Sequence, residues 1–410
     1  MYTKAAFETL PIVITSMSRW DGALSSASLS LAKVLSKKNP VFYIDYPYSI
    51  ADVWRERKQI HLKKRLPALI RGKDAVKSIR ELSDTFYAVT PKATLPVFSL
   101  PEGRAYEKAS HFNNLQLSKV IKKALKKHNI KDYLFINSFN PTYLSQVERY
   151  LKPILSIYHS RDAIEEVKGH GLRKENECAK HYDLLMATSR QLCANIAARN
   201  GKNVNYFPNG GDIQLFQTAL TEPLPKPKEL ESIHTPLVGY TGALAQREDY
   251  ELIEKMAKAH PDKTFVFIGP RTDHLHTTIR LEELPNVLLT GPKHITELPA
   301  YLRHFDCTII PFLKNNLTGG IYPLKINEYL AAGKSVVTTD FSEDIRSFAQ
   351  HVHIAENHDQ FIKMIDLAVK DNSELQKQNR LEIARSNSWE ERMNLFWDLA
   401  WNAYQNKKKI

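Results

Sequence analysis

Short apolar runs alternate with helix-period stretches along nearly the whole chain, and this alternation restricts the fold more than any other feature. In the N-terminal half, residues 11–15, 41–45, 86–89, 133–136, 154–158 and 184–187 predict strands; residues 24–36 and 115–127 predict helices between them. In the C-terminal half, residues 237–240, 265–268, 287–289, 308–312 and 336–338 predict strands, again with helical patterns between. A strand that is apolar without alternation must be covered on both faces. Strands of that kind joined through helices make parallel, doubly wound α/β sheets. At 410 residues the chain is long for one core and suits two such domains.

The expected division is an N-terminal Rossmann-like domain at 1–207, a C-terminal Rossmann-like domain at 208–385, and a last helix at 386–410. In that helix Trp389, Met393, Phe396, Trp397 and Ala400 recur at helical spacing, so it has an apolar face to bury, most naturally on the first domain. Residues 218–236 hold four prolines and no apolar period, which predicts a linker or exposed connection. Small ligands of doubly wound sheets sit beyond the carboxyl ends of the strands, here expected in the cleft between the domains.

Several classes are excluded. No apolar run approaches ~18 residues, so no spanning helix is expected, and residues 12–14 are too short for a signal-peptide core. Cys178, Cys193 and Cys307 are few, odd in number and far apart, which argues against a disulfide scaffold or a cysteine zinc site and for a reducing, cytoplasmic setting. Gly169-His170-Gly171 lacks a third glycine and a preceding strand. The pairs His274/His276 and His351/His353 lack helical metal spacing, so no metal site is expected. The charge is divided unevenly. Residues 1–205 carry 34 Lys and Arg against 18 Asp and Glu, and the remainder carries 23 against 27. An anionic partner for the N-terminal half follows.

The stretch Leu317-Thr318-Gly319-Gly320-Ile321-Tyr322-Pro323-Leu324-Lys325-Ile326-Asn327-Glu328-Tyr329-Leu330-Ala331-Ala332-Gly333 carries the most chemistry. It follows a predicted strand. Pro323 suits the first helical position and Gly333 the C-terminal cap, so 324–332 predicts a short helix entered through Gly319 and Gly320. Backbone amides there, with the helix dipole, would hold a diphosphate; Lys325 adds a full positive charge. Glu328, three residues on, shares its face and can accept hydrogen bonds from a ribose diol.

Pro-Leu-Lys-x-x-Glu-Tyr-Leu-Ala-Ala-Gly-Lys-x-Val-Val, from Pro323, resembles the donor-binding motif of bacterial GT-B glycosyltransferases of the large family-4 type. Pro208-Asn209-Gly210-Gly211-Asp212 with Phe216 resembles that family's element near the domain crossover. Residues 238–244, with Gly242, resemble its first strand-loop of the donor domain. Residues 285–302, through Gly291-Pro292 and His294, resemble the segment around the nucleobase. Trp20-Asp21-Gly22 and Asp183…Ala187-Thr188-Ser189 are similar to a subgroup that builds cell-surface polysaccharides.

The resemblance implies two doubly wound domains, the C-terminal one holding a UDP- or GDP-sugar and the N-terminal one a glycan or lipid-linked acceptor. Lys325 and Arg247 would neutralise the diphosphate in place of a metal, Glu328 would bind the ribose, and Thr318, Gly319 and Gly320 the phosphates, with Asn209, Gly242 and His294 also at the donor. Asp21 and Gly22 would set a loop against the phosphates and sugar. Many members carry Glu-x7-Glu; Glu328 matches the second glutamate, and Gly320 stands at the first. Retention is implied by the family alone. No cofactor beyond the donor is implied.

A base is expected after the strand 154–158, where Asp162 is the first candidate and His159 its rival. Arg55, Arg57, Lys58, Lys63, Lys64, Arg65, Arg71 and Lys73 share a window with Trp54, Ile60, Leu62, Leu66, Leu69 and Ile70; a second cluster is Lys119, Lys122, Lys123, Lys126 and Lys127. Basic and apolar residues on the same elements suit an anionic membrane surface and a peripheral protein. No nucleic-acid module is recognised. The competing readings are a nucleotide-sugar 2-epimerase on the same fold and a non-catalytic partner of a transferase.

Overall fold

Fourteen strands and the helices between them account for most of the chain in a computed structural model, which describes residues 2–22, 26–164 and 170–409. The chain divides into two compact units, residues 1–207 with 393–410, and residues 208–392.

The first unit holds β1 (Ile12–Ser16), β2 (Val41–Ile44), β3 (Val76–Ser78), β4 (Phe86–Val89), β5 (Leu134–Ser138), β6 (Leu155–Ser160), β7 (Leu184–Ala187) and β8 (Asn205–Tyr206). They form one sheet in the order β3-β4-β2-β1-β5-β6-β7-β8. All pairs are parallel except β3 on β4. β1, β2, β5, β6 and β7 are buried at every position, as continuous apolar strands between two helical layers must be. β3 escapes the sequence pattern because it is a short, mostly exposed edge strand whose only apolar residue is Val76. β1 pairs with both β2 and β5, so the strand order reverses there.

The helix expected at 24–36 is Ala27–Leu35, its predicted first residues Leu24 and Ser25 lying outside the described residues, as does Gly169. The helix expected at 115–127 begins eleven residues earlier, at Arg104. Its added turns bury polar side chains, which masks the apolar period. Asn113 bonds the backbone of Leu95 through both amide atoms (2.8 and 2.9 Å), and Asn114 accepts from the Leu144 amide at 2.9 Å.

The second unit holds β9 (Leu237–Thr241), β10 (Thr264–Ile268), β11 (Val287–Gly291), β12 (Cys307–Ile310), β13 (Val336–Thr339) and β14 (His353–Ala355), all parallel, in the order β11-β10-β9-β12-β13-β14. β9 is the strand at which this order reverses. Gly239 is required in it, since a Cβ there would lie 2.0 Å from the Phe305 ring.

The proline-rich stretch 218–236 is not a linker. Ala219 and Leu230 belong to the core of the second unit, Arg303 donates to the Ala219 carbonyl at 3.0 Å, and Tyr301 donates to Glu229 at 3.0 Å. The segment forms short helical turns at Thr218–Thr221 and Lys228–Leu230, and its few apolar residues are packed. The chain passes between units at 207/208 and 392/393, and just inside the second unit the two crossing segments run side by side. Gly211 donates to Asn387 at 3.0 Å, and a Cβ on Gly210 would lie 2.7 Å from the Trp389 Cα.

The last helix, Trp389–Lys407, packs its aromatic stripe within the first unit. Phe7, fully buried, stacks on Tyr404 at 4.9 Å and meets Trp401 and Trp397 edge-on at 5.5 and 6.3 Å; Phe207 meets Phe396 at 5.9 Å. Among the described residues no helix is long and apolar enough to cross a membrane. Phe7→Ala is expected to lower stability by about 3–5 kcal/mol in denaturant titration, because it leaves a cavity under three aromatic rings. A loss below ~1 kcal/mol would show that the helix is not held there.

Candidate functional site

Gly242 follows the end of β9 with φ +147°, a conformation that side chains other than glycine rarely adopt. Its amide donates to Ile268 at 2.8 Å, and a Cβ on Gly269 would lie 2.0 Å from the Gly242 carbonyl oxygen, so the turns after β9 and β10 are pressed together. The following loop then returns to the sheet. Buried Glu248 accepts from Tyr240 Oη at 2.6 Å and from the Ala245 amide at 2.7 Å. Next to it the Arg247 carbonyl accepts from the Leu313 amide and the Asp249 amide donates to Pro311, each at 2.8 Å. Pro311 ends β12 two residues before the predicted limit, and Phe312 bridges Glu248 instead. The loop is thereby strapped across the ends of β9 and β12, the two strands between which the sheet order reverses. In doubly wound sheets that is where ligands bind.

The helix Leu324–Ala331 is tied to the same point. Tyr329 Oη accepts from the Thr241 amide at 2.8 Å and from Thr241 Oγ1 at 3.2 Å. One turn earlier, the Lys325 side chain lies against Gly242, where a Cβ would stand 2.4 Å from Lys325 Cε and 2.7 Å from Nζ. The ammonium lies 5.4 Å from the centre of the Tyr240 ring and 5.6 Å from that of Phe312, within cation–π range of both. Burial pushes its pKa below the usual lysine value, with Arg247 adding to the shift and the charges of Glu248 and Glu328 opposing it. Burial pushes the Glu328 carboxyl up to about 7, against the pull of Lys325 and with the help of Asp212. Both side chains keep some accessible surface while lying deep among protein atoms. Among the described residues, neither the Lys325 ammonium nor the Glu328 carboxylate makes a hydrogen bond or ion pair.

The backbone donors differ from the sequence expectation. Gly319 and Gly320 belong to a separate short helix, Asn316–Gly319 with its cap; the Gly319 amide donates to Asn315 at 2.9 Å, and the Gly320 amide is directed at Thr318. Thr318 is buried in the same capping box, accepting from the Asn315 amide at 3.1 Å and donating to Leu313. These three residues shape the turn and do not present free donors. Pro323 is the N-cap rather than the first helical residue, and Ile326 makes the first bond, to Pro323 at 3.2 Å. The amides of Tyr322, Leu324 and Lys325 have no acceptor among the described residues, so the anion-binding donors lie a few residues beyond the glycines. Gly333, at φ +68°, closes the helix as expected of it.

Other predicted donor residues are spread more widely. Arg247 is half-buried in the strap, and Asn209 is half-buried in the crossing segment beside Gly210. His294 is exposed at the end of edge strand β11, where it caps the turn Ile295–Glu297, its amide donating to Glu297 at 2.7 Å. Tyr240, Phe312, Glu248 and Tyr329, which surround Lys325, read in the sequence as core or as an unremarkable loop acid. Only the strand order, which the linear pattern does not carry, brings them together.

In the first unit the candidates collect at the carboxyl ends of strands. Arg65 holds Asp21 with two hydrogen bonds, of 2.9 and 2.6 Å, and donates to buried Asp45 at 3.2 Å. Burial alone would raise the Asp21 pKa, but the bonds and charge of Arg65 hold it below the usual carboxylate range. A clamped, weakly basic carboxylate anchors a loop and makes a poor proton acceptor. Gly22 donates to Arg19 at 3.1 Å in the same turn. His159 is fully buried on β6, bonded through Nε2 to the Phe207 carbonyl at 3.2 Å and packed on the Phe207 ring. Burial keeps its pKa well below the usual histidine value. The expectation of a base at His159 is therefore corrected: a ring sealed from solvent serves the core. Asp162 lies half-buried in the turn after β6, where Arg161 donates to Ser138 at 2.7 Å. Among the described residues no group of three or more His, Cys, Asp or Glu is arranged to hold a metal ion.

Comparison with known proteins agrees with the fold. Residues 235–371 match the family model described as glycosyl transferases group 1. TuaH of Bacillus subtilis (strain 168), named for teichuronic acid biosynthesis and as a glycosyltransferase, is 29% identical over 193 residues. The match covers 46% of this chain and 48% of TuaH, about half the length of that relative. The UDP-forming α,α-trehalose-phosphate synthase of Burkholderia vietnamiensis superimposes with a TM-score of 0.67 at 12% identity, over 97% of this chain and 98% of that one. HepE of Anabaena, solved with UDP, gives 0.62 at 16% identity over 95% and 99%. Residues 235–371 thus belong to the group 1 glycosyl transferases, and the chain that carries them has the GT-B fold.

Proposed function

We propose that the protein transfers a sugar from a UDP- or GDP-sugar to a glycan or lipid-linked acceptor of the cell surface, with retention at the anomeric carbon. The observation that carries this reading is the Lys325–Glu328 pair, deep at the switch point of the second sheet and, among the described residues, without hydrogen-bond partners, beside three amides that lack acceptors there. Such a set matches a ribose diphosphate. In this reading Lys325 and Arg247 take the diphosphate charge and stabilise it as it leaves, so that fixed cations do what a metal does elsewhere. The amides of Tyr322, Leu324 and Lys325 bind phosphate oxygens, and the Glu328 carboxylate accepts from the ribose hydroxyls. Asp162 orients the acceptor hydroxyl or takes its proton, and Asp21 fixes the loop beside it. The name of TuaH supports a surface-glycan acceptor, and the UDP held by HepE makes uridine the first base to test. Work on such an acceptor places the protein peripherally at the inner face of the membrane.

Calorimetric titration with UDP, GDP, ADP and dTDP, without added metal, is expected to show binding of one nucleotide. Lys325→Met, which keeps the stem packed against Gly242, is expected to weaken it by about 10²-fold, the worth of a buried charged hydrogen bond. Binding of none of the four, or unchanged affinity in the variant, would overturn the donor site.

A second test uses the carboxyl. Glu328 in the folded protein stays protonated up to about 7, whereas its ordinary value is 4.5. The folded state therefore holds an extra proton in that window, and stability is lost as pH rises through it. Glu328→Gln carries no such charge. It is expected to match the wild type near pH 4 and to exceed it by on the order of 2–3 kcal/mol at pH 8. Wild-type nucleotide affinity should rise with pH through about 7, and the variant's weaker affinity should stay flat. Parallel pH profiles of the two proteins would remove Glu328 from the site.

A further inference from the structure

The segment 50–73 of the first unit combines large exposed apolar side chains with the densest run of cations in the chain. Ile50, Trp54, Ile60 and Ile70 are 56%, 70%, 71% and 65% exposed. The helix Ile50–Arg55 buries none of its residues. Leu62 and Leu69 hold the segment to the body by packing with Tyr48. Seven cations of the segment are exposed: Arg55, Arg57, Lys58, Lys63, Lys64, Arg71 and Lys73. Its acids before Lys73 are engaged locally, Asp52 in a capping box with Ser49 and 3.4 Å from Arg55, Glu56 at 3.2 Å from His61. Arg57 lies over the Trp54 ring at 4.2 Å, so even the tryptophan is dressed with positive charge.

Exposed isoleucines and tryptophan are unfavourable in water, and cations on the same short elements select an anionic neighbour. A nucleic acid would use the cations and leave the isoleucines wet. A layer with negative headgroups over hydrocarbon satisfies both, and each Lys or Arg near such a surface adds to the attraction.

Arg65 is the one buried cation of the segment. It leaves the chain between the exposed residues Lys64 and Ile70 and reaches inward to Asp21 and Asp45. Asp45 also accepts from Thr90 Oγ1 at 2.8 Å and from the Trp20 amide at 3.3 Å. The loop that follows β1 is therefore bonded directly to the basic segment.

We infer that segment 50–73 is a docking surface for anionic lipid, inserting Trp54, Ile60 and Ile70, and that Arg65 couples the docked segment to the loop at 19–22. The docking stands without the transferase reading; only the usefulness of the coupling, an acceptor-side loop ordered where a lipid-linked acceptor resides, rests on it.

The test is co-sedimentation of the full chain with phosphatidylcholine vesicles, with and without phosphatidylglycerol, followed by hydrogen exchange on the bound protein. Binding is expected to vesicles with phosphatidylglycerol and not to phosphatidylcholine alone. The triple variant W54A/I60A/I70A, whose changes are all on exposed side chains, should keep the wild-type Tm and bind at least about tenfold more weakly. Amides of residues 19–22 should exchange more slowly on vesicles in the wild type, and lose that protection in Arg65→Met. No binding to anionic vesicles, or equal binding by the triple variant, overturns the docking surface; so does tighter binding to a single-stranded RNA that the triple variant retains. Unchanged exchange at 19–22 with vesicles bound overturns the coupling. None of these outcomes depends on nucleotide binding, so the donor site can fail while the docking surface stands, and the reverse.

Discussion

A lysine ammonium kept deep in the protein with no carboxylate of the described residues bonded to it is unfavourable for the free molecule, and much of the second unit is arranged to keep Lys325 in that state. Gly242 leaves the room that the end of the Lys325 side chain occupies, the Tyr240 and Phe312 rings accept the charge on their faces, and Glu248 answers it from a distance while bonded to Tyr240. Removing the charge would relieve the fold, so the arrangement makes sense only when an anion arrives. Glu328 repeats the pattern with the opposite sign, its carboxyl raised to about 7 by the same burial. Two groups of opposite charge, each left without a direct bond among the described residues, match a ligand with a negative part and a hydroxylated part.

Topology explains why these residues meet. In both sheets the strand order reverses once, at β1 beside β5 and at β9 beside β12, and the connections diverge to opposite faces there. The divergence opens a place that helices do not cover. In the second unit the strap 242–248 and the helix Leu324–Ala331 fill its rim. In the first unit Asp21 follows β1 and Ser138 ends β5, and Ser16 and Ser18 both bond the Tyr43 hydroxyl at 2.6 Å. A polar rim at the switch point is common to both halves of the chain.

The fold was legible because its strands are apolar throughout, a pattern with few alternatives. Edge strands β3, β8 and β14 were not, since each is only two or three residues long. The early turns of the helix Arg104–Lys127 were hidden by asparagines that the structure buries for their hydrogen bonds. At the site, Lys325 and Glu328 could be read because a helix start after a strand puts them on one face. The glycines misled by one turn, because a capping asparagine, Asn315, draws them into a helix of their own. His159 misled for a different reason. Whether a histidine at a strand end points to solvent or to the core depends on what covers it, and here Phe207, 48 residues away, does so.

Charge is used in two physically distinct ways along the chain. The site of the second unit relies on one lysine set deep among protein atoms, whose field salt screens little. The first unit relies on many exposed cations, each weak singly and screened beyond about 8 Å at physiological ionic strength. Only a surface carrying many negative charges at close range rewards the second arrangement. Arg65 belongs to both styles, since it lies in the exposed basic segment and is itself buried against two carboxylates. Removing Arg65 is costly, because it leaves the buried Asp45 carboxylate without its cation. One arginine thus ties the turn at 19–22 to the basic segment, with Asp21 held at its side-chain end.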